Sequence, residues 1–167
     1  NTYRTASGAP GHEYWQQRAD YTINIRLDDE KQQIHGQEFI TYYNNSPDVL
    51  SYLWIQLDQN MRAPDSDTRK ISTGGLTGGY YGGIQGYTQQ GPVRVSIQQI
   101  NRLFEVFDGG FKLEYVRDMK GNDLAVTVNQ TMMRVDLPQP LKPGAKFEFS
   151  IKWWYNINDR SRQGGRS

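Results

Sequence analysis

Along most of this chain every second residue is apolar, and that period of two restricts it to extended strands with one buried and one wet face. Tyr21, Ile23, Ile25 and Leu27 alternate with Thr22, Asn24 and Arg26 until Asp28-Asp29-Glu30 interrupts with charge and turn-forming residues. Ile34 to Tyr43 is rich in aromatic and β-branched residues and stops at the turn cluster Asn44-Asn45-Ser46-Pro47-Asp48. A further strand is expected from Val49 to Leu57. The same alternation marks Val93, Val95 and Ile97; Phe111 to Val116; Leu124, Val126 and Val128; Met133, Val135 and Leu137; and Phe147, Phe149, Ile151, Trp153 and Tyr155. Met119-Lys120-Gly121-Asn122-Asp123 reads as a turn between two of these strands. No long window keeps apolar residues at i, i+3, i+4 and i+7, and Leu103 to Phe107 is short and ambiguous. The expected fold class is therefore all-β, an antiparallel β-sandwich of saddle-like form with about eight or more strands.

The chain has 167 residues, enough for one domain with a substantial core. Nineteen Lys and Arg against 18 Asp and Glu leave a formal net charge of +1, which steers the protein toward neither nucleic acid nor an anionic membrane. With no cysteine there is no disulfide, no thiolate zinc site and no cysteine nucleophile. No apolar run approaches the roughly 18 to 20 residues of a membrane-spanning helix. The first residue is Asn1, as in a processed or trimmed chain, and the opening residues lack a signal-peptide pattern.

Three segments stand apart from the strands. Residues 1–13 are a lead-in to a sandwich over residues 14–157. Between Met61 and Gly91 the glycines crowd together, so a fixed conformation is entropically costly and a long mobile loop is expected. Its tyrosines Tyr80, Tyr81 and Tyr87 have no ladder spacing that would stack nucleic-acid bases. Asn158 to Ser167 is polar and aperiodic, as a connector is.

Catalytic constellations are sparse. His12-Glu13 begins a metalloprotease zinc motif, but the position of the second histidine holds Gln16, and Pro10-Gly11 precedes strand rather than helix signals. The bland reading, His12 and Glu13 in the lead-in with Tyr14 and Trp15 covering a core edge, is preferred. His35 stands alone beside Gly36 and is expected to be an exposed surface residue. Glu30, Glu38, Glu105, Glu114 and Glu148 are scattered, with no spacing that singles out a glycosidase pair over solvated or salt-bridged strand faces. No Gly-x-Ser-x-Gly elbow or complete phosphate loop occurs. Trp153 shares the register of Phe149 and Ile151 and reads as core, whereas Trp154 points the other way as an aromatic platform for sugar or protein.

Four stretches in order, Ala19 to Asp28, Ile34 to Tyr42, Asn44 to Trp54 and Leu141 to Trp153, resemble the N-terminal domain of the M1 family of zinc aminopeptidases, bacterial members in particular. The resemblance spans most of Tyr14 to Tyr155, outside the glycine-rich loop. It implies a non-catalytic sandwich that packs on a thermolysin-like catalytic domain and helps shape the cleft for a peptide's free N-terminus. The family's zinc and its Gly-x-Met-Glu-Asn motif belong to that following domain. This chain contains neither Gly-x-Met-Glu-Asn nor His-Glu-x-x-His, so no catalytic or metal residue carries over and no cofactor is expected in it. Trp154, Tyr155, Arg160 and Arg166 are the candidate interdomain contacts. The expected partners are its own catalytic domain and a peptide substrate, with neither nucleic acid nor membrane, and the expected location is periplasmic or exported. The alternative is a free-standing sandwich module that binds carbohydrate or protein.

Overall fold

The structure is a computed structural model that describes residues 2–67 and 107–159. The described residues include seven strands: β1 (Arg18–Asp28), β2 (Gln33–Tyr43), β3 (Leu50–Gln56), β4 (Lys112–Asp118), β5 (Val126–Asn129), β6 (Met132–Leu141) and β7 (Lys146–Asn156). They form two antiparallel sheets, one in the order β1-β2-β7-β4 and one in the order β3-β6-β5. The all-β sandwich expected from the alternation is what the chain forms.

The inner faces meet over a core of Ile40, Val116, Phe149, Ile151 and Trp153 from the first sheet and Leu53, Met133 and Val135 from the second. Phe149, Met133 and Val135 are sealed from solvent, and each such side chain contributes about 1.5–3 kcal/mol on burial. Around this core the predicted strand positions hold, while the alternation at Val93, Val95 and Ile97 and, apart from Phe107, the ambiguous segment Leu103 to Phe107 lie outside the described residues.

The turns form where the turn residues stand. Asn44 is fully buried and joins three pieces of chain. Its Nδ2 donates to the carbonyls of Asp48 at 2.7 Å and Leu141 at 3.0 Å. Its Oδ1 accepts from the Ser46 hydroxyl at 2.6 Å and from Gln17 Nε2 at 3.1 Å. Between β4 and β5 the Asp118 carboxylate accepts from the backbone N–H groups of Lys120 and Asn122, both at 2.9 Å, while Gly121 takes φ of 88°.

Two local findings differ from the sequence reading. Met61, the expected start of the mobile loop, lies within a 3-10 helix (Asp58–Arg62). Asn60 anchors that helix, donating to the Gln130 carbonyl at 2.9 Å and accepting from the Phe111 N–H at 2.8 Å. Residues 68–91 of the expected loop lie outside the described residues. His35 is on the outer face as expected, yet it is half-buried, because the Trp154 ring stacks on it at 6.1 Å between centroids.

Candidate functional site

The two sheets have unequal width, and one flank of the sandwich is therefore open. In the first sheet Tyr21, Ile23, Ile25 and Leu27 of β1 pair with Ile40, Glu38, Gly36 and Ile34 of β2, which in turn pair with Phe149, Ile151, Trp153 and Tyr155 of β7. Side chains directly opposite one another lie on the same face, so these β1 residues belong to the core-facing side. The second sheet ends at β3 and does not cover them, and they stand 48–64 % exposed.

Between that ledge and β3 runs a cleft of about 640 Å³, lined by Tyr21, Glu38, Tyr42, Leu50, Tyr52 and Trp54 among others. Glu38 is its one charged lining residue. It sits on the inner face because it shares the parity of Ile34, Ile40 and Tyr42, and its Oε1 accepts from Trp153 Nε1 at 2.8 Å. The opposite parity of β2 carries Gln37, which donates to the Tyr115 hydroxyl at 2.7 Å on the outer face. Glu38 was grouped in the sequence reading with carboxylates on solvated strand faces, and parity with the apolar residues was the signal that placed it inside.

Trp153 lies flat across the pair it makes with Gly36, and a Cβ on Gly36 would meet the indole Cζ2 at only 2.3 Å. The glycine thus makes room for an aromatic ring. Phe111 and Tyr155 flank the same indole, with ring centroids 5.0 Å and 5.6 Å away. Burial raises the Tyr155 hydroxyl above the ordinary phenol value, as burial and then the neighbouring Tyr21 raise that of Tyr42, so both remain donors at neutral pH.

A carboxylate fixed by an indole in an aromatic cleft can accept a hydrogen bond or balance a cation on a ligand. The cleft lining supplies no second carboxylate for sugar hydrolysis. Among the described residues no three His, Cys, Asp or Glu side chains are grouped to hold a metal ion. His12 and Glu13 are exposed in the lead-in, where Arg4 lies over the Tyr14 ring at 5.6 Å. Trp15, 38 % exposed, lines a shallow surface hollow with Tyr3 and Pro143 and so lies away from the core cluster.

Of the candidate interdomain contacts, Trp154 is half-buried on the outer face of β7, paired with His35. Tyr155 faces inward against Phe111 and Trp153. Arg160 and Arg166 lie outside the described residues. No protein-family model matches this chain, and no curated protein matches it in sequence.

Proposed function

We propose that this chain is the non-catalytic N-terminal sandwich of an M1-type zinc aminopeptidase, where it packs on the catalytic domain and helps shape the cleft for a peptide's N-terminus. The observation that carries the reading is that the fourth resembling stretch, remote in sequence from the three consecutive ones, packs with them in one unit. Ala19 to Asp28, Ile34 to Tyr42 and Leu141 to Trp153 supply the adjacent strands β1, β2 and β7. Asn44, at the head of the remaining stretch, holds the Leu141 carbonyl, and the N–H of Gly144 donates back to the Asn44 carbonyl at 2.7 Å. In this reading Trp154 is the side chain of β7 that meets the catalytic domain, while Tyr155 serves the core. Zinc and the water it activates belong to that other domain.

The reading frame continued past Ser167 is expected to encode His-Glu-x-x-His with a downstream glutamate, and its full-length product to bind zinc and hydrolyse aminoacyl reporters. A full-length product without that motif, or without bound zinc, sinks the proposal.

The cleft favours a second reading, a free-standing binding module that uses Tyr21 and Tyr42 as platforms around Glu38. Titration calorimetry with oligosaccharides and peptides separates the two. Saturable binding that Glu38→Gln and Tyr21→Ala abolish would favour the module.

A further inference from the structure

We infer that β1 is a self-complementary edge, and that two copies of this chain pair through it, antiparallel about a two-fold axis at Ile23, to make one continuous eight-stranded sheet. The inference is independent of the aminopeptidase reading.

Three observations carry it. First, β1 has a neighbour on one side alone among the described strands, β2. An eleven-residue edge with unpaired backbone groups is a template for another strand, and edges are ordinarily blunted by proline, bulges or inward charges. β1 has no proline or glycine, its register with β2 runs without a shift from Arg18 to Asp28, and its inward face holds Ala19, Tyr21, Ile23, Ile25 and Leu27.

Second, the order of charges along β1 reads as its own complement. Pairing about Ile23 sets Arg18 against the second copy's Asp28, Asp20 against its Arg26 and Thr22 against its Asn24. On the inward face it sets Tyr21 against Ile25, Ala19 against Leu27, and Ile23 against itself. Directly opposed side chains in an antiparallel pair lie about 4.5–5.5 Å apart at Cβ, close enough for each pair to interact. The charges are already arranged on the strand, with Arg18 bonded to Asp20 at 2.7 Å and Arg26 within 3.8 Å of Asp28, so the axis would bring two such doublets together with opposite order.

Third, the competing registers are penalised. A slip by one residue turns the apolar face outward. A slip that keeps the faces but shifts the axis by one residue places Arg18 against Arg26 in one direction and Asp20 against Asp28 in the other. The isologous arrangement about Ile23 avoids both and covers part of the apolar ledge.

Sedimentation equilibrium on the whole chain is expected to show a reversible dimer. Asp20→Arg or Arg26→Asp alone sets like charges together at two symmetry-related places and should weaken the dimer about ten-fold. The double variant Asp20→Arg with Arg26→Asp restores opposite charges and should recover the original affinity. The chain has no cysteine, so Ile23→Cys places two thiols face to face on the axis and should cross-link on mild oxidation, whereas Leu27→Cys, which faces Ala19, should not. A chain that stays monomeric at millimolar concentration, whether because its own residues or another partner covers the edge, overturns the proposal. So does a dimer indifferent to the single variants, one that the charge swap fails to rescue, or equal cross-linking at both positions.

Discussion

Asn44 is the residue on which most of the described turn structure converges. Its amide satisfies two carbonyls and accepts from two side chains, and the bonds to the Leu141 carbonyl and the Ser46 hydroxyl are buried. Asn44→Ala leaves those two buried partners unpaired, so a loss on the order of 3 kcal/mol is expected in urea unfolding, whereas the exposed Asn45→Ala should cost less than about 1 kcal/mol. Gly36 is a second such point. A methyl there collides with Trp153, whose indole is held by Glu38 and packed between Phe111 and Tyr155. Gly36→Ala is expected to destabilise by about 1–3 kcal/mol and to shift the tryptophan emission as the ring moves. The ring that requires a glycine at position 36 was not legible in the sequence, because Trp153 lies more than a hundred residues away along the chain.

The elements were legible wherever turn chemistry and alternation agreed. The Asp118 turn is an example, and it makes a prediction about pH. The Asn122 side chain first, and then its backbone N–H, hold the Asp118 carboxyl below its ordinary value. A carboxyl lowered in the folded state stabilises fully above the unfolded carboxylate value and loses that contribution as pH falls from there through its lower folded value. Asp118→Ala should therefore weaken the dependence of the unfolding midpoint on acid below about pH 5. At β6 the alternation concealed an irregularity. The register with β3 shifts between Leu50 and Tyr52, where the additional β6 residues include Pro138 and Pro140, which cannot donate to a ladder. In β2 the alternation was present but incomplete: Glu38 keeps the inner parity despite its charge, and Phe39 keeps the outer parity despite its ring.

At the scale of the molecule, the decisive property among the described residues is the mismatch between a four-stranded and a three-stranded sheet. It opens the cleft beside Glu38 and leaves the apolar residues of β1 exposed. The core side is closed by Phe149, Met133 and Val135, so the open flank is a feature of strand count rather than of poor packing. A dimer through the edge of β1 and a catalytic domain meeting Trp154 on the outer face of β7 would use different parts of the first sheet, and the two proposals stand or fall on separate measurements.

The sequence alone determined the all-β class, the strand positions around the core and most of the turns, because side-chain alternation and turn residues act within a few residues of one another. Only the tertiary structure decided that the inner face of β1 is exposed, that Glu38 enters the cleft on a hydrogen bond from Trp153, and that His35 lies beneath Trp154. Those outcomes depend on which strands become neighbours and how many each sheet contains, and neither is encoded in the period of any one strand.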